Sequence, residues 1–249
     1  MKLSWLKVLE DESPPVLFLH GFMGQGADWD FTQANFPFST CTVDLPGHAS
    51  NLYIIPDEIW FDQTTLQIKQ ALDEAGIERV HLVGYSMGGR VGLCFAERFP
   101  EMVVKIVLES SHPGLALKSE RVERFAHDTR WALRLENEWP KVLEAWYEQP
   151  VFQSFQGERK MLIEKRSANL PSNVSKALLG FSLAHQPKMA PLHSCLFIAG
   201  ESDLKYVSIG NDLVRFCSTV AIKVVEGAGH NVHLEQPEQY LALITQFLE

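Results

Sequence analysis

Val80-His81-Leu82-Val83-Gly84-Tyr85-Ser86-Met87-Gly88-Gly89-Arg90-Val91-Gly92-Leu93 sets a serine between two glycines where an apolar run gives way to a helical pattern. Residues 80–83 read as a short strand, and Val91, Cys94 and Phe95 recur at helical spacing beyond it. The chain must reverse between the two, and Gly84 and Gly88 give the steric room for a sharp strand-to-helix turn. The free N–H groups and positive dipole end of the new helix then face whatever Ser86 touches. The stretch therefore predicts a nucleophile elbow with Ser86 at its apex. A glycine-rich turn with an incidental serine would have the same local sequence, so the assignment depends on partners elsewhere in the chain.

Working outward, the elbow is flanked by further strands. Residues 16–19 are wholly apolar, which suits a parallel strand buried on both faces, and they lead into His20-Gly21-Phe22-Met23-Gly24. Residues 40–43 form a second β-rich run that stops at the turn cluster Asp44-Leu45-Pro46-Gly47-His48. Residues 66–75 predict a helix, with Leu66, Ile68, Leu72 and Ala75 apolar and Gly76 as its stop. Residues 103–108 predict the strand after the elbow helix. Strands are also expected at 195–199, ending at Gly200-Glu201-Ser202-Asp203, and at 221–225, ending at Glu226-Gly227-Ala228-Gly229-His230. Residues 236–247 close the chain as an amphipathic helix with Pro237 at its start and Leu241, Ile244 and Leu248 as core positions. This alternation implies right-handed βαβ units and an α/β fold with a mostly parallel sheet flanked by helices.

Residues 112–190 break the rhythm. They hold no convincing strand, and helical patterns rich in Trp, Arg and Glu dominate, as at 120–135 and 141–147. We read them as a helical lid inserted into a core made of residues 1–111 and 191–249. The insertion carries twelve Lys and Arg against nine Asp and Glu in a chain whose net charge is -9, so it is the basic part of an acidic protein. Lysines and arginines that only solvate exposed helix faces would give the same count.

Composition narrows the function classes. With 249 residues, 46% hydrophobic and 21% charged, the chain can bury a large core. Its acidity argues against nucleic-acid partners and against anionic membrane surfaces. Residues 1–15 lack the apolar region of a signal peptide and no later run approaches a membrane span, so the cytoplasm is the expected compartment. Cys41, Cys94, Cys195 and Cys217 show no paired spacing and read as mostly buried small side chains. No phosphate-binding or dinucleotide motif occurs, so no cofactor is expected. His230 and His233 form an H-x-x-H without the glutamate or carboxylate cluster of a zinc site, so no metal is expected either.

Ligands of open parallel sheets collect beyond the carboxyl ends of the strands, where each candidate here lies. Ser86, Asp203 and His230 supply the three groups of a nucleophilic triad: a hydroxyl, an imidazole to take its proton, and a carboxylate to fix the imidazole's tautomer. His230 ranks ahead of His233 because it directly follows a strand. Asp203 ranks ahead of Glu201 and Asp212, and Glu109 is its serious rival because it too ends a strand. His20, His48 and His81 read as structural. The order serine, acid, histidine resembles the α/β-hydrolase fold, and His20-Gly21-Phe22 resembles the loop that supplies that fold's second oxyanion donor. The resemblance implies an oxyanion hole made by the backbone N–H groups of Phe22 and Met87. Serine at 86 also disfavours the epoxide-hydrolase and dehalogenase branches, which attack with a carboxylate.

A narrower resemblance covers nearly the whole chain. Gly84-Tyr85-Ser86-Met87-Gly88-Gly89-Arg90, His112-Pro113-Gly114-Leu115 with Arg124 and Trp131, Trp146-Tyr147-Glu148-Gln149-Pro150-Val151-Phe152, Arg166-Ser167 and Gly229-His230-Asn231 together resemble the 2-succinyl-6-hydroxy-2,4-cyclohexadiene-1-carboxylate (SHCHC) synthases of menaquinone biosynthesis. One short strand before Val16 is a departure from the general fold and implies a sheet trimmed at that edge. The resemblance implies a lyase that removes a proton α to a succinyl ketone and expels pyruvate, with Ser86, His230 and Asp203 as base machinery. It implies that Tyr85, Arg90, Arg124, Trp146 and Arg166 bind a small polycarboxylate substrate, with protein partners undetermined. Two other readings use the same residues: a serine hydrolase of esters or carbon–carbon bonds, and a ligand sensor with a vestigial triad.

Overall fold

Val16, Leu17, Phe18 and Leu19 are all fully buried, and a strand with no polar side chain on either face can only sit inside a sheet covered on both sides. The structure, a computed structural model, describes residues 1–249 apart from 11–12, 34–35, 57–59 and 156. Its sheet contains β1 (Leu3–Lys7), β2 (Val16–Leu19), β3 (Thr40–Val43), β4 (Val80–Tyr85), β5 (Val103–Glu109), β6 (Ser194–Gly200) and β7 (Val220–Val225) in the order β1-β3-β2-β4-β5-β6-β7. β1 is antiparallel to β3, and the other neighbours pair in parallel.

The helices are α1 (Trp60–Glu74), α2 (Met87–Arg98), α3 (Lys118–Asn137), α4 (Val142–Tyr147), α5 (Arg159–Ser167), α6 (Pro171–Gly180), α7 (Leu204–Phe216), α8 (Val232–Glu235) and α9 (Pro237–Leu248). Alternation along the strands sorts the core into two layers. Leu17 and Leu19 join Ile68 and Leu72 of α1 and Val91 and Phe95 of α2, whereas Val16 and Phe18 join Trp29 and Tyr240, Ile244 and Leu248 of α9. A third cluster unites Ala132, Leu135, Val142, Leu143, Val174 and Leu178 of α3, α4 and α6 with Met23 from the loop after β2. This contact anchors the inserted helices to the sheet's carboxyl edge. Among the described residues, none between β5 and β6 is in a strand, and no helix is long and apolar enough to cross a membrane.

Three local expectations shift. α1 already includes Trp60, six residues before residue 66, and Trp60 and Phe61 pack on Phe181 of the insertion at ring separations of 5.2 and 5.5 Å. Leu66 and Ala75, read as part of its apolar face, are exposed. α9 buries Tyr240, Ile244 and Leu248 at a spacing of four, which leaves Leu241 only partly covered. α7 had no counterpart in the sequence reading.

Register positions the site. Leu19 pairs with Gly84, Gly84 with Leu108, Glu109 with Ile198 and Gly200 with Val225, so β2, β4 and β5 end within a residue of one another, β6 and β7 run two residues further, and the following loops emerge along one edge. Close backbone approach holds them there. A Cβ on Gly88 would lie 2.2 Å from the Leu19 carbonyl oxygen and 2.5 Å from that of His20, both main-chain atoms that cannot step aside. Gly88→Ala should therefore lower stability by about 1–3 kcal/mol or more through overpacking. Gly92→Ala, on the same helix but with nothing nearer than 3.6 Å to its Cβ, should be neutral or stabilising by up to about 1 kcal/mol. Urea unfolding midpoints check the pair, and equal midpoints would contradict the packing argument.

Candidate active site

The elbow takes the shape its glycines permit. Ser86 has φ 49° and ψ -107°, a left-handed backbone rare for a residue with a Cβ, directly before α2. Its N–H donates to the Glu109 carbonyl at 2.8 Å, and the Ser111 hydroxyl donates to its carbonyl at 2.9 Å. The hydroxyl lies 3.3 Å from Nε2 of His230, whose Nδ1 lies 2.6 Å from Oδ2 of Asp203. A carboxylate only accepts, so Nδ1 carries the proton and Nε2 of the neutral ring is left to accept from Ser86. Asp203 and His230 are both buried.

The loop bearing His230 is organised by its own neighbours. The Glu235 carboxylate accepts from the N–H groups of Gly229 and Asn231 at 3.1 and 3.2 Å. The Tyr85 hydroxyl donates to Asn231. Glu109, the rival acid, bonds a different imidazole: its two oxygens lie 2.8 and 2.9 Å from Nδ1 of His233. The structure thus separates two carboxylate–imidazole pairs and puts Ser86 against that of Asp203 and His230.

Phe22 and Met87 both border a cavity of about 510 Å³. Met87 opens α2, where an N–H has no intrahelical acceptor. His20, one residue before the Gly21-Phe22 turn, donates from Nδ1 to the Gly21 carbonyl at 2.8 Å and accepts from the Leu45 N–H at 2.9 Å. Only the neutral ring can do both, and burial lowers the His20 pKa accordingly. His48, packed 5.2 Å from His20, is pushed down to about 3, chiefly by burial and then by that neighbour. Both histidines fix the loop, as the sequence reading expects.

All five expected substrate-binding side chains line the cavity, but in different states. Tyr85 stands edge-on to His230 and His233, with centroids at 5.5 and 4.8 Å. Trp146 packs on Phe22 and Trp131 at 5.0 and 5.1 Å. Arg90 donates to the Phe181 carbonyl at 2.6 Å, and burial, with Arg124 nearby, brings its pKa down to about 10. Arg124 is paired with the buried Asp128 at 2.8 Å. Arg166 is itself buried and paired with Asp28 at 2.7 Å, and the Tyr147 hydroxyl also bonds it. Among the described residues, Arg90 has no carboxylate partner.

The sequence reading gives no site role to Lys205, Tyr206, His127 or Phe152, the last quoted only within the 146–152 motif, and all four also border the cavity. Tyr206 and Phe152 pack on the His230 ring at 4.9 and 5.7 Å. Lys205 is exposed at the rim, again with no carboxylate partner among the described residues. Both Lys205 and Tyr206 sit in the first turn after Asp203, so recognising α7 would have found them. Among the described residues, no group of His, Cys, Asp or Glu could hold a metal ion.

A serine–histidine–aspartate constellation at the carboxyl edge of such a sheet defines an α/β-hydrolase. Residues 16–243 match the pattern of the family described as the alpha/beta hydrolase family. The chain is 34% identical over 250 residues to a 2-succinyl-6-hydroxy-2,4-cyclohexadiene-1-carboxylate synthase of Serratia proteamaculans, covering 96% of this chain and 94% of the relative. It is 35% identical over 244 residues to the synthase of the same name from Pectobacterium atrosepticum, covering 94% of each. Its structure matches that of MenH from S. aureus with a TM-score of 0.90 at 25% identity, over 99% of this chain and 97% of the other. The chain belongs to this synthase family within the alpha/beta hydrolases.

The Arg166–Asp28 pair generates a stability prediction. Burial alone would raise the Asp28 pKa, but Arg166 and Lys165 outweigh it and hold the carboxyl below its ordinary value. A depressed folded-state pKa contributes stability that is present above the unfolded value and lost as pH falls through the folded one. Asp28→Asn leaves the Arg166 charge buried without its counter-ion and should cost about 3–5 kcal/mol at neutral pH. Below about pH 4 the gap to wild type should narrow as the wild-type carboxyl protonates. Urea midpoints across pH test this, and a gap unchanged in acid would contradict it.

Proposed function

We propose that the chain is a carbon–oxygen lyase that eliminates pyruvate from 2-succinyl-5-enolpyruvyl-6-hydroxy-3-cyclohexene-1-carboxylate to give SHCHC. The observation that carries this reading is identity of 34–35% over 94–96% of the chain to proteins named for that product. Ser86 passes its proton to Nε2 of His230 and removes the proton α to the succinyl ketone. The electron pair moves onto the ketone oxygen, where the N–H groups of Phe22 and Met87 stabilise the enolate. As the enolate collapses, a ring double bond forms at the carbon that lost its proton. The ring alkene shifts by one bond, and the carbon–oxygen bond to the enolpyruvyl group breaks. The leaving enolate takes the proton held by His230 and tautomerises to pyruvate, and the ring keeps the 2,4-diene. Asp203 stabilises the imidazolium that forms between the two proton transfers.

The helices of residues 112–190 serve as the cover of the site, and the cavity cations without a carboxylate partner among the described residues, Arg90 and Lys205 of the core, suit a substrate that carries several carboxylates. Arg90 is the cavity guanidinium left for such a group, since Arg124 and Arg166 already face Asp128 and Asp28. Tyr85 and Trp146 shape the wall. The cytoplasm suits a chain whose four cysteines are free, three of them buried.

Pyruvate release from the enolpyruvyl substrate by purified protein, followed through a coupled dehydrogenase, tests the reading. Ser86→Ala and Asp203→Asn should each lower turnover at least about a hundredfold. Retention of more than about a tenth of wild-type turnover by Ser86→Ala would remove Ser86 from the base role. Arg90→Ala should lower kcat/KM by about 10- to 150-fold, and Arg90→Lys should recover only part, because lysine lacks the planar fork. Hydrolysis of a neutral ester without pyruvate release would instead support a serine hydrolase.

A further inference from the structure

Glu109 and His233 form a buried pair that the elimination does not use. Glu109 closes β5 with 0% exposure and His233 begins near the start of α8 with 2%. A carboxylate so placed is costly unless its oxygens are satisfied, and here they are. One oxygen accepts from the His233 backbone N–H at 3.1 Å, and both lie within 2.9 Å of Nδ1. The imidazole is held in turn by Trp29 at 4.6 Å and Tyr85 at 4.8 Å.

Glu109 also faces the other way. Its carbonyl accepts the N–H of Ser86 at 2.8 Å, so its main chain is bonded to the elbow while its side chain is bonded to the segment that follows His230. Tyr85 and Asn231, the immediate neighbours of Ser86 and His230, make a second link beside it. These links answer a geometric need. Ser86 follows β4 and His230 follows β7, and β5 and β6 lie between those strands, so no strand ladder directly sets the distance from serine to imidazole. At 3.3 Å that contact is already long for a hydrogen bond to an hydroxyl. A further shift of well under an ångström would break it.

We propose that Glu109 and His233 are a positioning pair that sets the separation of Ser86 and His230, because one residue of β5 holds the elbow through its main-chain carbonyl and the histidine loop through its carboxylate. The proposal rests on Ser86 and His230 being the reacting pair. It requires that loss of the link slow proton transfer without weakening substrate binding.

The test compares Glu109→Gln, Glu109→Leu and Glu109→Leu/His233→Phe with wild type. Two readouts are used: the rate constant for Ser86 labelling by an alkyl fluorophosphonate, and kcat and KM for pyruvate release, with kcat expressed per labelled serine. Glu109→Leu should lower both the labelling rate constant and kcat by about 10- to 100-fold, the scale expected for ångström misplacement, with KM within about threefold of wild type. Glu109→Gln keeps an acceptor for the His233 N–H and should recover most of the loss. The double variant replaces the pair with apolar groups of similar volume, so it should stay folded and remain as slow as Glu109→Leu. Wild-type labelling and wild-type kcat per labelled serine in Glu109→Leu or in the double variant, with only thermal stability or labelled fraction reduced, would overturn the proposal. A wild-type protein that labels but releases no pyruvate would defeat the proposed function alone, and the labelling rates of the variants would still decide the role of the pair. A wild type that neither labels nor releases pyruvate would overturn both, and for one that releases pyruvate without labelling the kcat of the variants per folded protein would decide the role of the pair.

Discussion

The left-handed backbone at Ser86 costs about 1–3 kcal/mol for a residue with a side chain, and it persists only where surrounding contacts over-determine it. Here those contacts are steric and polar at once. Gly84 and Gly88 let α2 start against the ends of β4 and β2, while the Glu109 carbonyl and the Ser111 hydroxyl hold the two main-chain polar groups of Ser86. The result is a serine whose hydroxyl stands clear of the sheet, faces His230 and lies beside the first N–H of a helix. The register of the parallel strands, the cavity above them and the anchoring of the inserted helices on Met23 all follow the same edge.

Charge compensation then differentiates the cavity wall. Two of its arginines are neutralised by carboxylates inside the protein, whereas Arg90 meets the Phe181 carbonyl and the Phe61 ring, with no carboxylate partner among the described residues, and Lys205 stands at the rim. A buried guanidinium with a fixed counter-ion contributes to architecture, because removing either partner strands the other in a medium that solvates charge poorly. A guanidinium without one keeps its bidentate face for an incoming anion. The cavity's cations therefore divide into paired arginines of the insertion and core cations without a carboxylate partner among the described residues, a distinction that the sequence reading of Arg90, Arg124 and Arg166 as one group does not draw.

The histidine–carboxylate pairs show the same division of labour. Asp203 with His230 reaches the serine, and Glu109 with His233 lies one layer deeper, against Trp29 and Tyr85. Both acids end parallel strands and both imidazoles follow β7, so their sequence contexts are nearly equivalent. Burial and reach separate them: Glu109 extends its side chain beneath the histidine loop, while Asp203 leads into α7 and meets His230 from the side of β6.

The sequence by itself determined the alternation of strands and helices, the elbow, and the placing of Ser86, Asp203, His230 and the Phe22 loop at strand ends. Each of these rests on local patterns, such as apolar runs that need cover on both faces and glycines where a turn needs room. It preferred Asp203 but kept Glu109 as a rival for the imidazole facing Ser86, began α1 late and passed over α7, whose first turn carries Lys205 and Tyr206. It could not reveal that Arg166 is committed to Asp28. The partner of each acid, the pairing of Arg166 and the first turn of α1 were decided by tertiary structure, because they depend on distances between segments far apart in the chain. The Arg166–Asp28 pair spans the insertion and the loop after β2, and Trp60 and Phe61 of α1 pack on Phe181. Hydrophobic periodicity records which face of an element is buried, but the partner of a buried charge is chosen only when the packed elements bring a counter-charge within hydrogen-bond reach.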